Sequence, residues 1–280
     1  MDKITISICG DPQSKAVSSL QKLVKGLHFE CQILPISWSN YWTDIVHIAL
    51  YRHGADISIV PAGLVGDLAG MNALRPFTSR EIEQVGGENA FQPSAWRSVV
   101  RSLDQQVFGL PYNVDPRLIF YWSDLLEKAG VDPETAFKTP EQMDSTLTQL
   151  QRKGVKAPWV LQTANPQSVM HTIAPWLWAK GGDFISPDSL QTIFSSPASR
   201  AGIEAYFRLY RFMPREGQPL LEASEKLFAT RQSAATMGGV ELRSNLLKRA
   251  DVDRQTVHQQ LRAALPPGQI PWVGGSNLVI

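Results

Sequence analysis

The stretch from Lys3 to Pro61 switches repeatedly between two apolar periods, and that alternation limits the fold more than any other feature. Lys3 to Cys9 (KITISIC) places apolar residues at every second position and runs into Gly10-Asp11-Pro12, a strand followed by a turn. Val17, Leu20, Leu23, Val24 and Leu27 then recur at helical spacing behind Ser14, a residue suited to cap a helix. Phe29 to Ile36 reads as a second strand, and Tyr41 to Tyr51 as a second helix with Ile45, Ile48 and Ala49 on one side. Ala55 to Pro61 reads as a third strand. Such βα alternation predicts an α/β fold with a parallel sheet and right-handed crossovers. Ligands of these sheets bind beyond the C-terminal strand ends, so Gly10 to Gln13, Ser37 to Trp42 and Pro61 to Gly63 are expected along one rim.

Further on, Val107 to Trp122 (VFGLPYNVDPRLIFYW) is extended but contains Pro111 and Pro116, which suits a strand leaving one lobe for another better than a central strand. A hinge is expected near Tyr112. Asp124 to Lys128 starts a helix that stops at Gly130, and Thr139-Pro140 opens another with Met143, Leu147 and Leu150 facing inward. Pro197 opens a further helix, whose expected buried stripe is Ile203, Phe207 and Tyr210. Leu261 to Leu265 and Trp272 to Ile280 read as strands, the second returning to the first lobe. The 280 residues suit two lobes of the usual ~100 to 150 residues. The expected division is 1–112 with 270–280 as one lobe and 113–269 as the other.

Composition narrows the partners. Lys plus Arg number 27 against 26 Asp plus Glu, so no net field draws in nucleic acid or an anionic membrane. Eight Trp, six Tyr and eleven Phe supply flat apolar faces suited to ligands that are polar but uncharged. No basic, apolar and cleavage-site series precedes the first strand, so no export signal is expected in the chain, and no apolar run reaches the ~18 to 20 residues of a membrane span. Cys9 and Cys31 both lie in strand-like runs and are expected to stay reduced.

Catalytic patterns are missing. There is no P-loop, no GxGxxG after a strand and no HExxH, and the five histidines, at 28, 47, 53, 171 and 258, read as surface or satisfied-core residues. Gly274 to Ser276 is no GxSxG elbow. A carboxylate pair such as Asp183 and Asp188 serves glycoside hydrolysis only at a separation that a sequence does not reveal. No enzyme activity and no cofactor or metal is expected.

Several stretches, in order, resemble the family 1 extracellular solute-binding proteins of ABC transporters, the maltose-binding-protein-like kind. ITISICG and ADISIVPAGLVGDLAG begin the series. The strongest match is LDQQVFGLPYNVDPRLIFYWSDLLEKAGVDPETAFKTPEQM, similar to the family's Gly-x-Pro strand, Tyr-containing strand and Asp-Leu-x-x-x-Ala-Gly signature. WLWAKGGDFISPDSL, FSSPASRAGIEAYFRLY, LFATRQSAATMGG and LPPGQIPWVGGSNLVI follow in family order. The resemblance implies a two-lobe periplasmic-binding-protein-like (type II) fold with hinge strands, and a sugar or oligosaccharide held in the cleft between the lobes. It also implies an ABC permease as partner and a periplasmic or extracellular location. Members continue with helices beyond the last strand, so the chain is expected to lack its C-terminal helices and to be truncated. An intracellular sensor with the same fold is the alternative, and a glycoside-acting enzyme a more distant one.

The residues expected to bind ligand lie on the predicted rims and strands. Trp38, Tyr41 and Trp42 are placed to stack on a sugar or to anchor the second helix, and Pro61 ends the third strand. Asn113 and Asp115 are expected on the cleft side of the hinge strand, with Arg117 as a further ligand contact or a structural partner of Asp115. Trp176 is expected either at the cleft or in the second core, and Trp272 and Ser276 flank the return to the first lobe. The family pattern puts a ligand-stacking Trp where this chain has Glu241, which is expected to accept sugar hydroxyls, bind a cationic group or be solvated.

Overall fold

A computed structural model describes residues 3–51, 53–163, 166–186, 191–214 and 221–280. In chain order its main elements begin with β1 (Ile4–Cys9), α1 (Lys15–Val24), β2 (Cys31–Ile36), α2 (Tyr41–Tyr51), β3 (Ile57–Pro61), α3 (Val65–Gly70), α4 (Ser79–Gln84), α5 (Pro93–Arg97) and β4 (Leu110–Pro116). Next come β5 (Leu118–Trp122), α6 (Ser123–Ala129), α7 (Pro140–Arg152), β6 (Trp159–Val160), α8 (Pro166–Ala179) and α9 (Pro197–Arg208). The last are α10 (Leu221–Ala229), β7 (Ala235–Gly238), α11 (Leu242–Leu246), α12 (Arg254–Gln260), β8 (Leu261–Ala264) and β9 (Val273–Val279). They form two compact units, Met1–Asp115 with Val273–Ile280, and Pro116–Trp272. Among the described residues no helix is long and apolar enough to cross a membrane.

The first unit is a five-stranded sheet in the order β2-β1-β3-β9-β4. β1 pairs in parallel with β2 and β3, as the strand-helix alternation predicts, whereas β9 lies antiparallel to β3, with Ser58 opposite Val279 and Pro61 opposite Ser276. Because strand side chains alternate, Ile59 and Val60 serve opposite faces. Ile59 joins Ile6, Ile8, Val17 and Leu20 under α1, and Val60 joins Ile36, Ile45, Val65, Leu68, Phe108 and Val279 under α2 and α3. Each such fully buried aliphatic side chain contributes roughly 1.5–3 kcal/mol of hydrophobic stabilisation. Ser14 caps α1 by accepting a hydrogen bond from the Val17 amide at 3.3 Å.

The β1–β2 register separates the two cysteines. Cys9 faces Ile36 and Cys31 faces Ile4, at opposite ends of the pair. At ~3.3 Å per residue the offset is about 16 Å, well beyond the ~7 Å that a disulfide spans between Cα atoms. Burial pushes the Cys9 thiol up to about 11.

The second unit has a four-stranded sheet in the order β6-β7-β5-β8, with β6 parallel to β7 and β5 antiparallel to both β7 and β8. The extended segment 107–122 therefore serves two sheets, β4 at the edge of the first and β5 inside the second. On one face of the second sheet, Met143, Leu147 and Leu150 of α7 pack with Ile119, Trp159, Trp176 and Tyr206. On the other, Phe120, Trp122 and Val160 meet Phe228, Leu242, Leu246 and Val257. α7 starts as its sequence predicts: Thr139 accepts from the Gln142 amide at 3.2 Å, and Pro140 occupies the first turn. α6 stops at Gly130, whose φ of 71° is a left-handed cap that glycine adopts without a Cβ penalty.

One predicted face is corrected. α9 buries Ser199, Gly202, Ala205 and Tyr206, with Leu209 just beyond its end, while Phe207 stays 49% exposed and Ile203 and Tyr210 are only partly buried. The reason is the tight crossing of α8 and α9. A Cβ on Gly202 would fall 2.5 Å from the Trp176 carbonyl oxygen and 2.6 Å from the Leu177 Cα, so the face with Ser199, Gly202, Ala205 and Tyr206 meets α8 and Phe207 turns aside.

Candidate functional site

The second unit's sheet brings three strand ends together. β6 and β7 run parallel, so both C-termini open on one side, continuing into Leu161-Gln162 and Gly238-Gly239. β5 runs the other way, and its first residue, Leu118, faces Gly238, which places Arg117 at the same edge. A cavity of about 370 Å³ opens there, entirely within the second unit. Its walls are completed by His171 and Thr172 of α8, Ser224, Glu225 and Phe228 of α10, and Leu242 and Asn245 of α11. This is the edge where open α/β sheets bind ligands.

Some lining hydroxyls hold the framework. Thr236 donates to the Val160 carbonyl at 2.8 Å, tying β7 to β6, and Ser224 donates to the Leu161 carbonyl at 3.1 Å, tying α10 to the strand end. Thr172 shares a 2.7 Å hydrogen bond with the Tyr206 hydroxyl, whose ionisation burial pushes upward. The remaining polar lining, Arg117, Gln162, His171, Glu225, Glu241 and Asn245, carries both donors and acceptors. Glu241 stands just before α11, but its side chain makes no capping bond there. Among the described residues no group of three His, Cys, Asp or Glu side chains is placed to hold a metal ion, and Asp188 lies outside those residues.

A stack of rings backs one wall. His171 lies on Trp272 with centroids 4.9 Å apart and planes 19° apart, and Trp178 lies parallel to the same indole at 6.2 Å. The Trp178 indole N–H donates to Asp183 Oδ1 at 3.1 Å, an oxygen that also accepts from the Phe184 amide at 2.7 Å. Arg117 donates its backbone N–H to the Trp272 carbonyl at 2.8 Å. Trp272 is thus held through its backbone and by ring contacts with His171 and Trp178, and it supports His171, which reaches the cavity.

The expected ligand residues fall into separate groups. Glu241 lines the second unit's cavity, and Trp272 stands behind His171 rather than in the lining. Of its two expected places Trp176 takes the core: it is fully buried, edge-on to Tyr206 at 5.3 Å, because its side of α8 is the one packed into the core. In the first unit, Trp38 (54% exposed) meets Tyr41 edge-on at 5.5 Å, and Trp42 is also exposed. Tyr41 packs partly against the core beneath α2. Pro61 pairs with Ser276 across β3 and β9, and Asn113 Oδ1 accepts from the Ser276 amide at 2.7 Å. Asp115 follows two residues along β4 and is half-buried. Sequence reasoning missed His171, Gln162, Glu225 and Asn245. The one usable signal was Gln162's place after a strand, and β6 spans only Trp159–Val160.

Similar proteins identify the fold. No protein-family model matches the chain. A solute-binding protein of an ABC transporter from Thermotoga lettingae TMO, solved with α-D-tagatose, aligns with a TM-score of 0.76 at 22% identity, covering 100% of this chain and 72% of that one. Maltose-bound MalE3 of T. maritima aligns with a TM-score of 0.78 at 19% identity, covering 99% and 72%. The chain has the two-lobe α/β fold of the sugar-binding solute-binding proteins of ABC transporters, as its sequence resemblance implies. In sequence it is 28% identical over 149 residues to the sn-glycerol-3-phosphate-binding periplasmic protein UgpB of Pectobacterium atrosepticum. That match spans 51% of this chain and only about a third, 33%, of the relative.

Proposed function

We propose that the chain binds a small polyhydroxylated solute, a sugar or oligosaccharide, as the substrate-binding component of an ABC importer. The observation that carries this reading is the second unit's cavity at the ends of β6 and β7, where side-chain amides, carboxylates and a guanidinium surround a space of about 370 Å³. Sugar hydroxyls are both donors and acceptors, and such mixed lining pairs with them. The His171 ring adds a flat face fixed from behind by Trp272. Solved neighbours of the same fold hold tagatose and maltose, which supports the ligand class. The solute is held and released unchanged, for delivery to a membrane permease.

Thermal-shift and tryptophan-emission measurements with tagatose, glucose, maltose and a set of amino acids test this. A binding sugar raises the melting temperature, with about 2.7 kcal/mol of added stability at one hundred times its Kd. Emission also changes, because Trp272 lies directly behind a cavity residue. His171→Ala weakens the response, and chromatography recovers the sugar intact. A folded sample that responds to no sugar, or that converts one, would sink the reading.

A further inference from the structure

We infer that the solute held in the second unit's cavity carries a positive charge, as an amino sugar does, and that the cavity disfavours phosphorylated solutes; this rests on the binding reading above. Among the described residues the lining holds two carboxylates, Glu225 of α10 and Glu241 before α11, against one guanidinium, Arg117, with His171 as the remaining basic side chain. Phosphate recognition depends on converging N–H donors, from arginine pairs, lysines or a helix start whose amides face the anion. Among the described residues no lysine lines this cavity. The start of α11, which borders it, has the acidic Glu241 at its cap position, a negative charge that disfavours an anion beside it.

A bound solute displaces water from the exposed Glu241 carboxylate, and removing a charge from water is costly unless an opposite charge replaces the lost hydration. A neutral sugar supplies hydroxyl donors alone, whereas an ammonium group supplies both donors and the compensating charge. Glu241 is the better placed of the two to meet it. It is exposed, its side chain caps nothing, and among the described residues no cation pairs with it.

The test compares three solutes on one skeleton, glucose, glucosamine and glucose 6-phosphate, by titration calorimetry at neutral pH and low salt, together with the glucitol, glucamine and glucitol 6-phosphate series. The expected order is amine, then neutral, then phosphate, with the amine favoured over its neutral parent by about five- to tenfold, the scale of one partly exposed charge contact. In Glu241→Gln that ratio falls toward one, and molar salt reduces it in the native chain. Glu225→Gln serves as a second variant, and melting curves establish that both variants fold. Equal affinity for amine and neutral solute, a phosphate ester as the tightest ligand, or an unchanged ratio in both variants overturns the charge inference while leaving the sugar reading standing. If neither series binds, nor any sugar named above, the sugar reading fails and takes the inference with it.

Discussion

Gly202 sits where two helices approach too closely for a side chain, so the smallest possible addition is informative. Gly202→Ala puts its Cβ against the Trp176 carbonyl and the Leu177 backbone, which flexible side-chain movement does not relieve. The expected loss is about 1–3 kcal/mol, read as a lower denaturant midpoint. Asp124 gives a pH-dependent case. Burial alone would raise its pKa, but hydrogen bonds from Arg231 and Lys128 outweigh burial and hold the carboxyl below its usual range. Arg231 also lies over the Trp122 ring, at 5.2 Å from its centroid. A depressed carboxyl stabilises the fold above its unfolded pKa of ~3.9, and that contribution is lost as pH falls through the folded value. Asp124→Asn is therefore less stable than the native chain at neutral pH, and the gap in urea midpoints closes as acid protonates the native carboxyl. A gap that widened on acidification would contradict this assignment. At this scale the sequence discloses chemistry but not address. Glu241 stands out as a departure from a family pattern, whereas His171 looks like any surface or core histidine until Trp272, far away in the chain, is stacked on it.

Helix α7 and helix α9 show when periodicity suffices. In α7, Met143, Leu147 and Leu150 are the only large apolar residues available, and all three are fully buried. α9 offers two candidate stripes, Ile203-Phe207-Tyr210 and Ser199-Gly202-Tyr206, and hydrophobicity alone favours the first. Close packing on α8 at Gly202 selects the second instead, a preference that exists only once the partner helix is present. Paired truncations separate the two cases. Leu147→Ala leaves a cavity in the core and is expected to cost about 2–5 kcal/mol, while Phe207→Ala, half exposed, is expected to stay within about 1 kcal/mol of the native chain. Equal losses in chemical denaturation would return Phe207 to the core. Among strands, β1 to β3 are legible because turns and helices bracket them. β6, two residues long, has no period to read, and the cavity residue that follows it was invisible for that reason.

At the level of the molecule, the two units differ in how the chain supplies them. The second is one uninterrupted segment, Pro116–Trp272, with a core on each face of its sheet. The first needs two segments, because β9 lies between β3 and β4. A fragment of residues 116–272 is accordingly expected to melt cooperatively on its own, and a fragment of residues 1–115 to lack a cooperative transition until a peptide covering 273–280 is added. Calorimetry of the two fragments decides this, and a sharp unassisted melt of the 1–115 fragment would refute it. The β-strand and helix order made the α/β class legible, since alternation is a local property. The return of the last strand to the first lobe was read from the sequence, but its place between β3 and β4 was not, because pairing with β3 spans more than two hundred residues and leaves no local trace. That pairing also orders events in time. During translation β3 and β4 emerge long before the strand that will separate them, so the nascent first unit waits with an unfilled slot in its sheet while the later-made unit closes. The part of the protein synthesised first is the last that can finish, and until then its open strand edges are what a ribosome-bound chaperone would have to shield.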